Sequence, residues 1–76
     1  MITIKLYGLL RVESGIRELS LDAESIKNIY SQLEHAGLNN KDLKGCYVLI
    51  NGKPAGKKDK LNDGDVVQLL PPVAGG

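Results

Sequence analysis

Only one stretch of the chain carries a helical repeat of apolar residues. Ile26, Ile29, Tyr30 and Leu33 recur at i, i+3, i+4 and i+7 and form one stripe of an amphipathic helix. Asp22 offers the N-cap, with Ser25 as an alternative, and Glu24 in the first turn suits the helix dipole. His35 falls in the last turn, and Gly37 is the expected stop just beyond it. The spacing predicts one helix of about three turns. A helix with a single apolar face must bury it on something, and the segments around it read as strands.

Residues 2–7 alternate, with Ile2, Ile4 and Leu6 on one side and Thr3, Lys5 and Tyr7 on the other. Residues 16–21 alternate again, with Leu19 and Leu21 inward. Gly8 and Ser14-Gly15 bracket the connection, so residues 2–21 read as a hairpin with a long loop. Residues 38–45 read as loop with a short turn near Leu43. Cys46 to Ile50 is a continuous apolar run, as in a central strand. Asn51-Gly52 is a two-residue hairpin signal, because a type I′ turn needs positive φ at both positions. Lys53 to Lys60 returns as a short polar edge limited by Pro54 and Gly56. Asp63-Gly64 turns the chain into a last strand, residues 65–70. That strand is expected in the middle of the sheet beside the first, since both are apolar and free of breakers. The order β-β-α-β-(β)-β is that of an α+β, β-grasp (ubiquitin-like) fold: a mixed four- to five-stranded sheet covered by one helix.

Composition narrows the function. The 76 residues suffice for one small body, residues 1–70, followed by a tail, residues 71–76. The chain has no Phe and no Trp, so Ile, Leu and Val must fill the core, with Tyr7, Tyr30 and Tyr47 at its edges or on the surface. A net charge of +1 points to neither nucleic acid nor an acidic membrane. One cysteine excludes an internal disulfide and suits a reducing compartment. With no signal-peptide pattern and no stretch long enough to span a bilayer, a cytoplasmic protein is expected.

No side-chain constellation supports catalysis by this chain alone. His35 is the only histidine, and its place at a helix end has a structural explanation. Cys46 opens an apolar strand, where a thiol behaves as a small hydrophobe, and no metal-ligand spacing accompanies it. Asp63 and Asp65 flank a glycine turn, a common place for Asp. Lys53, Lys57, Lys58 and Lys60 cluster on the polar edge. They either protect that edge from strand addition or dock an acidic partner.

The remaining reactive group is the carboxylate of Gly76. Pro71 and Pro72 cannot donate backbone hydrogen bonds and favour extended geometry. Val73 and Ala74 are small, and Gly75 and Gly76 allow close backbone approach. Such a tail can enter a narrow channel and reaches roughly 20 Å when extended. A frayed end is the plain alternative. The turn and strand that lead directly into the tail favour the functional reading.

The run Leu61-Asn62-Asp63-Gly64-Asp65-Val66-Val67-Gln68-Leu69-Leu70-Pro71-Pro72-Val73-Ala74-Gly75-Gly76 resembles the MoaD/ThiS family of ubiquitin-like sulfur carriers, and the MoaD branch within it. Ile50-Asn51-Gly52 is similar to the family's hairpin, and the first strand with Leu10-Arg11 is similar to its opening. The resemblance implies that Gly76 is adenylated with ATP by a partner and then converted to a thiocarboxylate that donates sulfur. It implies an adenylating enzyme of the ubiquitin-activating type (MoaB/MoeB/ThiF-like) and a MoaE-like large subunit of molybdopterin synthase. It implies no bound cofactor and no metal, and a carrier that is monomeric when free. Gly75 would permit entry, Pro71 to Ala74 would set reach and shape, and Val66, Gln68 and Leu70 would form the docking face opposite the core. Two other roles share this tail: a protein modifier joined through Gly76 to lysines, and a sulfur carrier for thiamine, cysteine or tRNA thiolation.

Overall fold

A computed structural model of the chain describes residues 1–38, 40–56 and 58–72. Its elements run β1 (Ile2–Leu6), α1 (Gly8–Ser14), β2 (Glu18–Leu21), α2 (Ile26–His35), α3 (Asn40–Lys44), β3 (Tyr47–Ile50), β4 (Lys53–Ala55) and β5 (Val66–Leu70). The strands form one sheet in the order β2-β1-β5-β3-β4. β5 lies in the middle, parallel to β1 and antiparallel to β3. The mixed sheet under one amphipathic helix is a β-grasp fold.

Alternation decides which residues meet α2. Ile2, Ile4 and Leu6 of β1, Val67 and Leu69 of β5, and Val48 of β3 are buried. The register aligns them, with Ile4 beside Val67 and Leu6 beside Leu69. Ile26, Ile29, Tyr30 and Leu33 of α2 close the same core from the other side. Tyr30 is therefore a core residue rather than an edge one, at 7% exposure. With no Phe or Trp available, its ring fills volume that branched aliphatics leave.

The N-cap of α2 is Ser25, whose Oγ accepts the Asn28 N–H at 3.2 Å, and not Asp22. Asp22 lies a turn too early to reach those amides. It also stands 3.7 Å from the Met1 ammonium. The C-terminus of α2 closes as the sequence suggests. Gly37, at φ +104°, donates its N–H to Glu34 O, and the Leu38 N–H reaches back to Leu33 O. This is a Schellman closure, and the buried Leu38 side chain seals it.

Two connections expected as loop contain short helices. α1 starts without a side-chain cap and buries only Leu10, so it carries no readable periodicity. Ser14 Oγ donates to Leu10 O, and Gly15 ends the helix at φ +73°. α3 is five residues long and is anchored by Leu43, which is fully buried. The short turn expected near Leu43 is this helix.

Candidate functional site

β5 is held at its start by a side-chain clamp. The chain turns at Asn51-Gly52, both at positive φ (51° and 83°), as a type I′ hairpin requires. Asn51 Oδ1 then accepts the Val66 N–H at 3.0 Å, and its Nδ2 donates to Asp65 Oδ1 at 2.9 Å. The other Asp65 oxygen accepts the Asn62 N–H at 2.9 Å. These donors hold the Asp65 carboxyl below the ordinary carboxylate range, the Asn62 N–H contributing most. Asp63 is likewise held low, by the Met1 ammonium it accepts from. The two carboxylates are thus occupied in shaping the turn that feeds β5.

From there Val66, Gln68 and Leu70 face away from α2 and are half-buried, as the alternation predicts. Gln68 Nε2 donates to the Tyr7 hydroxyl at 2.9 Å, which ties β5 to the exit of β1. The register brings further residues to this face. Leu70 lies beside Tyr47, and Gln68 beside Leu49, which in turn lies beside Pro54 of the edge strand. Tyr47 is 67% exposed. The face therefore carries Val66, Leu70, Tyr47, Leu49 and Pro54 around one glutamine. Tyr47, Leu49 and Pro54 escaped the sequence reading. Period-two alternation within Tyr47-Val48-Leu49-Ile50 places Tyr47 and Leu49 together, but the pairing of β3 with β5 is a tertiary fact.

Beyond Leu70 the chain leaves the sheet between two glycines. The Pro71 ring packs on Gly8, and the Pro72 ring faces Gly45 with room for a methyl group between them. Leu9, Leu10, Lys41 and Gly45 line a groove of about 150 Å³ along the two prolines. Pro71 is half-buried there, while Pro72 is exposed. Val73, Ala74, Gly75 and Gly76 lie outside the described residues.

The family model described as ThiS family matches residues 4–76, which takes in the β5 face and the whole tail. The chain belongs to the ThiS family. No curated protein sequence matches it. Among solved structures, it is similar to a chain in the complex of subunits 1 and 2 of the molybdopterin-converting factor from Helicobacter pylori. That chain is 25% identical with a TM-score of 0.75, the alignment covering 99% of this chain and 97% of the other. It is similar to a chain of the BexX/CysO complex from Amycolatopsis orientalis, at 24% identity and TM-score 0.77, with both chains covered fully. It is also similar to small archaeal modifier protein 1 from Haloferax volcanii, at 22% identity and TM-score 0.74, covering 95% and 97%.

The other candidate residues of this ThiS-family chain do not gather into a site. His35 is exposed at the end of α2. Cys46 is half-buried, packs against the core and donates its N–H to Leu43 O. Lys53, Lys58 and Lys60 are exposed along the polar edge, and Lys57 lies outside the described residues. Lys60 bridges to Ser25, so part of this segment is fastened to the start of α2. Among the described residues no group of three His, Cys, Asp or Glu could hold a metal ion, and no helix is long and apolar enough to cross a membrane.

Proposed function

We propose that this chain is a sulfur carrier whose Gly76 carboxylate is activated by a partner enzyme and serves as subunit 1 of a molybdopterin-converting factor. The supporting observation is the match to the ThiS family across residues 4–76, a span that ends in Gly75-Gly76. The likeness to the H. pylori molybdopterin-converting factor favours that acceptor pathway.

The chemistry asks three things of the chain. It must dock, it must hold out a narrow terminus, and it must keep other nucleophiles away from the reaction. The apolar outer face of β5 and β3 supplies the first. Residues 71–76, as a tail on a body of residues 1–70, supply the second. The third falls to the partner, whose channel would close around the terminus and exclude water and other nucleophiles. The Gly76 carboxylate attacks the α-phosphorus of ATP on a ThiF/MoeB-like enzyme and expels pyrophosphate. Sulfide, as HS⁻, then attacks the acyl carbon, expels AMP and loses its proton, which leaves a thiocarboxylate. A MoaE-like large subunit would take the tail and pass the sulfur to a pterin precursor in the cytoplasm. The carrier must leave afterwards to be recharged, so its docking is strong enough to orient and weak enough to release.

The test is ATP–pyrophosphate exchange with the ThiF/MoeB-type enzyme of the same genome. It compares wild type, a chain extended by one alanine after Gly76, and a chain lacking Gly76. The extension moves the carboxyl group by up to about 3.6 Å. Displacements near 1 Å in an active site cost on the order of 100-fold. Both variants are expected to fold and dock but to fail in exchange. Equal exchange by all three would remove the terminus from the reaction. Lysine adducts of the wild type that survive thiol reductant would turn the reading toward a protein modifier.

A further inference from the structure

We propose that Gly8 and Gly45 form a two-sided seat that aims the tail, and that they act as positioning residues for the activation of Gly76; this rests on the sulfur-carrier reading. The geometry follows from the sheet. β1 and β5 run parallel with Leu6 beside Leu69, so two residues further on Gly8 comes level with Pro71. β3 and β5 run antiparallel with Tyr47 beside Leu70, so two residues outward Gly45 comes level with Pro72. Each proline beyond the sheet thus meets a glycine where a strand neighbour would otherwise stand.

The contacts on the two sides differ in kind. Gly8 has φ +58°, and a Cβ there would lie 2.7 Å from Pro71 Cγ. Real Cβ atoms do not tolerate that distance, so the ring would have to move. At Gly45 a Cβ would stand 3.6 Å from Pro72 Cγ, an ordinary contact, and φ lies outside the left-handed range. An alanine fits at position 45, and a valine adds two methyl groups to a Cβ already in contact with the Pro72 ring. Prolines have no N–H with which to extend β5, so side-chain packing is what fixes their direction. The Pro71 ring against the bare backbone of Gly8 has little freedom to tilt, and Gly45 leaves a methyl-sized space beside Pro72. The direction of the chain at Pro71 is therefore set by the body before any partner is met, and Gly45 bounds the side on which Pro72 lies.

Gly15 supplies the control. It ends α1 with φ +73°, and a Cβ there meets nothing within 4 Å. Gly8→Ala and Gly15→Ala therefore carry similar backbone strain at the two ends of one helix, and only the first touches the tail.

The experiment measures Gly8→Ala, Gly45→Val and Gly15→Ala in two ways. Residual dipolar couplings of the Cα–Hα vectors of Pro71 and Pro72 report tail direction without any enzyme. Exchange kinetics with the ThiF/MoeB-type enzyme report kcat and KM separately. The seat predicts reoriented Pro71 and Pro72 vectors in Gly8→Ala and Gly45→Val, and unchanged ones in Gly15→Ala. It predicts a fall in kcat of about 10- to 100-fold in the first two with KM near wild type, because the docking face is intact. Unchanged couplings in Gly8→Ala overturn the seat. Changed couplings with wild-type kcat overturn its role in positioning. Equal loss of kcat in Gly15→Ala assigns the effect to general destabilisation and also overturns it. If wild type itself gives no exchange, the sulfur-carrier reading and the positioning role both fall, and the couplings alone decide whether the seat aims the tail.

Discussion

Among the described residues Tyr30 is the only aromatic side chain in the core, and burial raises its phenol to about 12 from an ordinary 10, with the nearby Cys46 adding to the rise. The unfolded phenol loses its proton near pH 10, and the folded one does not until about pH 12. Stability from this group is therefore fully present below pH 10 and is lost as pH climbs through that window. Urea midpoints of wild type and Tyr30→Phe between pH 9 and 12 should show a shallower decline in the variant. Parallel declines would assign the alkaline loss to other groups. Asn51 shows how much a single residue can disclose. Its partnership with Gly52 made the turn legible, since few residues accept positive φ. Its bonds to Asp65 and Val66 were not legible, because they span fourteen and fifteen residues of sequence.

At the scale of the element, the two faces of β5 do different work, one meeting α2 and the other turned away from it. Leu33 closes the apolar stripe of α2 and is fully buried. Leu33→Ala should destabilise the protein by about 2–5 kcal/mol, measured by chemical denaturation. A wild-type midpoint would mean that α2 packs through another face. Leu70 belongs to the outer side, next to Tyr47. Leu70→Arg should leave the thermal transition near wild type and weaken docking to the adenylating enzyme by about 1–3 kcal/mol. Calorimetric titration checks this, and equal affinities would remove Leu70 from the interface. The long elements were readable because their periodicity is strong, and the β5 alternation assigned its two faces correctly. α1 and α3 were not. Helices of seven and five residues present too few turns for a stripe, and each is fixed by one buried leucine, Leu10 or Leu43. The shift of the α2 cap from Asp22 to Ser25 has a local cause, since either side chain suits the role and only the entry path of the chain chooses between them.

At the scale of the whole molecule, element order was enough to reach the β-grasp topology, including the placement of the last strand beside the first. The glycine seat was beyond reach, because Gly8 and Pro71 are far apart in sequence and meet only when β1 and β5 are parallel. That same arrangement has a mechanical consequence. β5 is bonded along both edges, and the chain runs on from its end into Pro71 and Pro72. A pull on the chain beyond Leu70 loads β5 lengthwise, so its hydrogen bonds to β1 and β3 share the load at once. Peeling an edge strand such as β4 breaks such bonds one after another. In single-molecule extension, force applied between residues 2 and 72 should be resisted far more strongly than force applied between residues 47 and 55, which unzips the β3–β4 hairpin. Similar rupture forces in the two geometries would contradict this. A body loaded in shear through its central strand can be pulled from that strand's end without coming apart.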